Sequence, residues 1–326
     1  MALALTATIA ACGAGDDSKP ASQQGAAKQA RLQLNGADKP TAAQFPAVQG
    51  RTLQEVANQF APNNGQAGLA SSVFTPGKNR LAFGVIDAQQ KFVYGPSALY
   101  LAKTPEDRAI GPIPAPADVL VTDPPYRSRQ AASEKDPFAA VYEANEVELD
   151  RPGKWSVLIV TKGGGRTIAT PTQIDVAKSS PIPAVGDKAP AVDTDTVESA
   201  KGDVKSIDTR VPPDDMHSVN FKDVVGKKPV ALLFATPQLC QSRVCGPVVD
   251  IAEQLKQKYG DRIEFIHQEV YKDNVVEKGL REPLERYHLQ TEPWLFVIGS
   301  DGRVKARLEG SFGLDAFENA LQAGLR

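Results

Sequence analysis

One stretch divides the chain. From Val176 to Asp215 the sequence, which includes PIPAVGDKAPAVDTDTVESAKGDVKSIDTRVPPDD, is dense in Pro, Asp and Lys. Before it the apolar residues fall in short strand-like runs; after it, strand-like runs alternate with stretches of helical period. Two periodicities on either side of a polar, proline-rich junction predict two domains built from different layers. A chain of 326 residues is long enough for both.

The first domain is assigned to residues 44–178. It opens with one helical pattern, RTLQEVANQF, and continues with NRLAFGVID, KFVYG, ALYLAK, DVLVTD, FAAVYEANEVEL, KWSVLIVTK and RTIATPTQIDV. These short β-branched or aromatic runs are punctuated by TPG, DPP, RPGK and GGG, which predicts an all-β sandwich of immunoglobulin-like architecture. The segment has no cysteine pair, so an antibody-type domain is excluded. Trp155 is read as a packing aromatic. With no His, no Cys and no tight acidic cluster, the segment offers no chemistry, and spacing, docking or partner recognition is its expected role.

The second domain, residues 179–326, predicts an α/β fold: PVALLFAT, helix VVDIAEQLKQKYG, IEFIHQEVY, helix VVEKGLREPLERYH, WLFVIG, RVKARLEG and helix LDAFENALQAGL. In the helix after the cysteines, Val248, Ile251, Ala252, Leu255 and Tyr259 recur at three- and four-residue spacing, so one face packs on a sheet. Pro247 is tolerated in a first helical turn, which starts the helix near Gly246. Cys245 then lies at the helix N-terminus and Cys240 in the preceding loop. A helix N-terminus, with Arg243 close by in sequence, favours a thiolate at Cys245, the expected nucleophile.

VGDKAP (Val185 to Pro190), GKKPVALLFAT (Gly226 to Thr236), CGP (Cys245 to Pro247) and YHLQTEPWLFVIGSDGRV (Tyr287 to Val304) together resemble the thioredoxin-like superfamily, in particular exported thiol-disulfide oxidoreductases. The resemblance covers most of the last 140 residues. It implies thiol-disulfide exchange and makes Pro293 the cis-proline of the site. Two positions depart from the family: Val248 stands where its second cysteine falls, so Cys240 must be the partner if Cys245 has one, and Glu292 precedes the proline. A carboxylate there would oppose a thiolate or accept a proton during exchange. The expected catalytic set is Cys245, Cys240, Pro293 and Glu292, with no cofactor and no metal.

The third cysteine bears on compartment. An apolar run from Ala2 to Ala11 ends at Cys12, and Ile9-Ala10-Ala11-Cys12 resembles a bacterial lipobox, although no Lys or Arg precedes the run. The resemblance implies a signal segment over residues 1–12, a lipid on Cys12, and domains held at the extracytoplasmic face of the cell membrane. A Cys240–Cys245 disulfide can form there. Residues 13–43, rich in Ala, Gln, Gly, Ser and Lys, are expected to be a flexible tether. Expected partners are exported protein thiols or a membrane thiol reductant; 37 basic against 39 acidic residues give no attraction to nucleic acid.

Three alternatives stay open. The pair could staple a redox-inert thioredoxin-fold binding module. TPQLCQSRVC also resembles some atypical two-cysteine peroxiredoxins, but Leu233 and Pro237 stand where such enzymes place their Pro and Thr. A copper metallochaperone would need a histidine beside both thiolates, and only His217, His267 and His288 exist. His267 alternates with buried residues along a strand and reads as a hydrogen-bonded core or edge histidine.

Overall fold

The computed structural model describes residues 25–133 and 138–326; Cys12 and the apolar run before it lie outside the described residues. The N-terminal part comprises α1 (Ala26–Leu32), α2 (Leu53–Ala57) and eight strands: β1 (Gln66–Leu69), β2 (Gly77–Ile86), β3 (Ser97–Ala102), β4 (Ile110–Pro114), β5 (Ala117–Val119), β6 (Ala140–Leu149), β7 (Gly153–Gly163) and β8 (Arg166–Val176). Thr52 starts α2 through a capping box. Its hydroxyl accepts the Glu55 N–H at 3.2 Å, and the Glu55 carboxylate accepts the Thr52 N–H at 2.8 Å.

The strands form two four-stranded antiparallel sheets, in the orders β1-β2-β6-β5 and β4-β3-β7-β8. Alternation along each strand sends Leu81, Phe83 and Tyr142 from one sheet, and Leu99, Trp155 and Val157 from the other, into one core. Trp155 is a packing residue, its indole N–H donating to the Arg151 carbonyl at 3.0 Å. Gly164 and Gly165, at φ 60° and 75°, close the β7–β8 hairpin with a two-residue turn that needs left-handed backbone at both positions. The KFVYG segment differs from expectation, contributing only an isolated Ile86–Phe92 bridge.

Of the tether expected over residues 13–43, residues 13–24 lie outside the described residues and the remainder is corrected. Residues 25–43 are not loose: Ala26, Ala27, Ala30, Leu34 and Ala37 are buried in the same core. The Asp123 carboxylate accepts the N–H groups of Gly25 and Ala26 at 3.0 and 2.9 Å, and Arg31 pairs with Asp315. Alanines pack closely while lending the sequence a low-complexity look.

The C-terminal part comprises α3 (Phe221–Val224), β9 (Val230–Phe234), α4 (Cys245–Tyr259), β10 (Glu264–Gln268), α5 (Glu282–Arg286), β11 (Trp294–Ile298), β12 (Val304–Glu309) and α6 (Leu314–Gly324). Its mixed sheet has the order β10-β9-β11-β12, with β10 parallel to β9 and the other pairs antiparallel. Every residue of β9 is buried, as a central strand requires. Ala231 and Leu233 join the core beneath α4 and α6, whereas Leu232 and Phe234 pack with Tyr287 and Phe296 on the opposite face. The helix expected over 275–288 shrinks to α5, because Gly279 takes φ 78° and Pro283 restarts the helix in its first turn.

The two parts share a core in which Leu81 and Val119 belong to the same cluster as Val248 and Phe317. Polar contacts fix their orientation. The buried Asp118 carboxylate of β5 accepts the N–H groups of Asp315 and Ala316 at 3.0 and 2.8 Å, capping α6. On α4, buried Asp250 takes the Arg210 guanidinium at 2.9 Å and the Ser128 N–H at 3.0 Å. Arg210 also donates to the carbonyls of Tyr126 and Pro212, so the charge pair is hydrogen-bonded across the boundary.

Candidate active site

After β9 the chain turns sharply before entering α4. The Thr236 carbonyl accepts the N–H groups of Leu239 and Cys240 at 3.3 and 3.1 Å, and the Cys240 carbonyl accepts that of Arg243. Arg243 adopts φ 61°, and α4 begins at Cys245. This fold-back aims the free N–H groups of Val244 and Cys245 at the Cys240 sulfur.

Cys240 and Cys245 are both buried and both carry free thiols. They are unequal: Cys240 keeps 7 % exposure and Cys245 none. The Cys245 thiol donates to the Cys240 sulfur and contributes most to drawing its pKa down to about 6. Burial works against this, while the Ser242 hydroxyl at 3.1 Å and the two backbone N–H groups add to it. Cys245 is driven the other way, well above the ordinary thiol value, chiefly by burial and then by Cys240. The Thr236 N–H only partly offsets this, and Glu292 adds to the rise.

This electrostatic order reverses the sequence-based expectation that Cys245 holds the thiolate. The helix start was placed correctly, but a group that receives the N–H groups of the first turn must precede the helix, as a capping residue does. Cys245 lies inside the turn, so its sulfur lies in the core. Arg243 is also corrected as a helper, since its guanidinium sits 5.9 Å from the Phe138 ring centroid, on the N-terminal part.

The Glu292–Pro293 peptide bond is cis, in agreement with the sequence reading, and the Pro293 carbonyl accepts the Gly310 N–H at 2.9 Å. Val248 is wholly buried in the core. The Glu292 carboxyl is raised to about 7, first by burial and then by the charge of Cys240. Neither the N–H nor the carbonyl of Glu292 is hydrogen-bonded among the described residues. Tyr271, which sequence reasoning missed, belongs here too. Burial raises its phenol first, followed by Glu292, Cys240 and Cys245. Its place just beyond the C-terminal end of a parallel strand was the available signal.

A cavity of about 260 Å³ opens beside the loop between the cysteines, lined by Ser242, Val244, Thr291 and Glu292 on one side and by Leu69, Ala70 and Ser72 on the other. An adjoining apolar hollow of about 300 Å³ shares Leu69, Ala70, Ser242 and Val244 and runs past Gly84, Phe92 and Phe138. The two form a groove with one wall from the N-terminal part.

His288 is exposed, and neither cysteine has a histidine among the groups shifting its thiol. His267 is a hydrogen-bonded core residue, with Nδ1 2.7 Å from an Asp214 oxygen and Nε2 3.1 Å from the Ala235 carbonyl. The sequence did not reveal that Asp208, Asp214 and His217 meet it there. Among the described residues, no helix is long and apolar enough to cross a membrane.

No protein-family model matches the chain, and no curated protein matches it. Among solved structures, the chain is similar to one assigned as a thiol:disulfide interchange protein DsbE from Chlorobium tepidum. The TM-score is 0.32 and the identity 17 %, over 44 % of this chain and 99 % of that one. It is also similar to a thioredoxin family thiol:disulfide interchange protein from Chlorobium tepidum TLS, with a TM-score of 0.28 and 16 % identity over 46 % of this chain and 100 % of the other.

Proposed function

We propose that the chain performs thiol-disulfide exchange through Cys240 and Cys245, in a thioredoxin-like domain (residues 179–326) that follows an immunoglobulin-like β-sandwich (residues 44–178). The observation that carries this reading is the pair of free cysteines at the entry to α4, where the Cys240 sulfur accepts hydrogen bonds from the Cys245 thiol and from two backbone N–H groups. Such an arrangement stabilises a thiolate before any client arrives. In the reduced protein, the Cys240 thiolate attacks one sulfur of a client disulfide. A mixed disulfide forms and the other client sulfur leaves as a thiolate. Cys245 then loses its proton to Glu292 and attacks the Cys240 sulfur. The mixed disulfide breaks, the client leaves as a dithiol after protonation, and the Cys240–Cys245 bridge holds the oxidised state. The reverse sequence oxidises a client dithiol, and the relative potentials set the direction.

The order of sheets, β1-β2-β6-β5 against β4-β3-β7-β8, supports the immunoglobulin-like reading. Lipidation of Cys12 and an extracytoplasmic location complete the proposal, with exported protein thiols or a membrane thiol reductant as partners. Cys12→Ser should move the protein from the membrane to the soluble fraction.

Trapping tests the exchange. Cys245→Ser keeps the attacking sulfur and removes the resolving one, so it should accumulate mixed disulfides with a small disulfide or an exported client. Cys240→Ser should not. If neither variant traps, and the wild-type bridge titrates below about −300 mV as structural disulfides do, the chain is instead a stapled binding module.

A further inference from the structure

We propose that Asp208, Asp214, His217 and His267 form a buried binding site for one zinc-class divalent cation. The four side chains are buried, and one ligand atom from each lies within 4.8 Å of the others. His217 Nε2 is 3.3 Å from Asp214 Oδ1 and 3.6 Å from Asp208 Oδ2. A tetrahedral zinc with ligands at about 2.0–2.1 Å has its ligand atoms about 3.3 Å apart; the His217 separations match this, and His267 Nδ1, 2.7 Å from Asp214 Oδ2 and 4.0 Å from Asp208 Oδ1, would shift by less than about 1 Å to join them.

His217 supplies the independent observation. Only 1 % exposed, it has no hydrogen-bond partner on either ring nitrogen, and Nε2 faces the two carboxylates. A buried imidazole left unsatisfied in that way is costly unless something sits in front of it. His267 is oriented as a ligand. The Ala235 carbonyl can only accept, so Nε2 carries a proton, and Nδ1, which donates to an Asp214 oxygen at 2.7 Å, is the nitrogen a cation would take by displacing that proton. The carboxylates are held by backbone N–H groups: Asp208 accepts those of Arg210 and Asp214 at 2.7 Å, and Asp214 accepts that of Met216 at 2.9 Å.

Charge argues in the same direction. Asp208, Asp214 and Glu269 are buried together, while Arg210 is committed to Asp250. A divalent cation would neutralise the acidic excess and satisfy His217, whereas a proton on His267 leaves both ring nitrogens of His217 without a hydrogen bond. Two imidazoles favour zinc and its neighbours over magnesium or calcium.

Such an ion would pin the 208–217 loop to β10. That loop also holds the N-terminal part, since the Val211 carbonyl accepts the Arg129 N–H at 2.7 Å. The site reaches the thiols through one peptide unit. The carbonyl of Ala235 accepts from His267, and the following Thr236 N–H donates to the Cys245 sulfur.

Full-length protein without a histidine tag, produced in zinc-supplemented medium, should contain about one zinc per chain by elemental analysis. Cobalt-loaded protein should show the visible bands of tetrahedral Co²⁺ without thiolate charge-transfer absorption. His217→Ala should lose the metal and several degrees of Tm, while His288→Ala and the Cys240→Ser/Cys245→Ser double variant keep it. Metal-free wild-type protein, or metal that departs with the cysteines, overturns the site. If His217→Ala fails to fold, the cobalt spectrum and the cysteine variant still decide.

Discussion

Cys245→Ala removes the strongest contact on the Cys240 thiolate. In the wild-type protein that sulfur is drawn from its ordinary value of 9.0 to about 6, with the Cys245 thiol contributing most. A hydrogen bond to a charged group is worth about 1.5–3 kcal/mol, and one pKa unit about 1.4 kcal/mol. Its loss should therefore raise Cys240 by about 1–2 units, to roughly 7–8. The Ser242 hydroxyl and the α4 N–H groups remain, so the value should not return fully to that of a free thiol. Alkylation by iodoacetamide follows the thiolate, and mass spectrometry locates the label on Cys240. The rate against pH should inflect near 6 in the wild-type protein and near 7–8 in the variant, with Cys245→Ser between because it keeps an O–H donor. At pH 7 the thiolate fraction falls from about nine-tenths to between a half and a tenth. The sign for stability follows from the lowered value: the gain to the reduced fold is complete above the unfolded pKa and is lost as pH falls through 6. At pH 7 it amounts to about 1.4 kcal/mol, equivalent to about 30 mV in a two-electron potential. An unchanged inflection in Cys245→Ala, or a wild-type sulfur that titrates like a free thiol, would refute the reasoning.

Glu292→Gln should lower the Cys240 inflection by a fraction of a unit and remove a second step near pH 7, where the wild-type carboxyl acquires its charge; an unaltered alkylation profile would separate Glu292 from the thiols. Gly246→Ala places a Cβ 2.5 Å from the Gln130 Cβ and 2.6 Å from its carbonyl oxygen. The expected cost is about 1–3 kcal/mol, with faster proteolysis between residues 122 and 133; a wild-type Tm would show that the loop yields. Asp118→Ala leaves two α6 N–H groups without their cap, which should cost about 1–2 kcal/mol. Burial, with Glu143, raises Asp118 to about 7, so its folded state binds the proton more tightly and its contribution to stability declines from pH 4 to pH 7. Asp118→Asn should flatten that part of the Tm profile, and an unchanged slope would assign it to other groups.

Elements whose pattern was local were legible. β2, β3 and β5 to β8 each combine a β-branched or aromatic run with a turn signal, and α4 carries its apolar stripe in full. β1 reads QAGL and β4 reads IGPIP, compositions normally found in loops. They are strands because neighbours pair with them, which no local window shows. At the site, the sequence supplied both cysteines, the start of α4 and the proline. It could not show which sulfur collects the helix N–H groups, because that depends on how residues 241–244 fold back. Nor could it join His217 and His267 to Asp208 and Asp214, which meet only when the 208–217 loop closes over β10.

The N-terminal part changes what kind of client the proposed exchange can accept. Cys240 keeps only 7 % exposure as a residue, which puts it out of reach for a disulfide on a rigid, convex surface. An approach by a client would run along the groove between the cysteine loop and the β1–β2 edge, where Gly68, Ala70 and Gly84 leave room for a main chain rather than for bulky side chains. The unpaired N–H and carbonyl of Glu292 offer an extended segment one antiparallel pairing at the floor of that groove. Leu69, Phe92 and Phe138 supply apolar contact farther along it. For the proposed exchange, the N-terminal sheets would then act as a selectivity wall. They would admit a cysteine carried on an extended chain and turn away folded surfaces, with the hydrogen bonds of Asp118, Arg210 and Asp250 across the boundary resisting any widening of the groove.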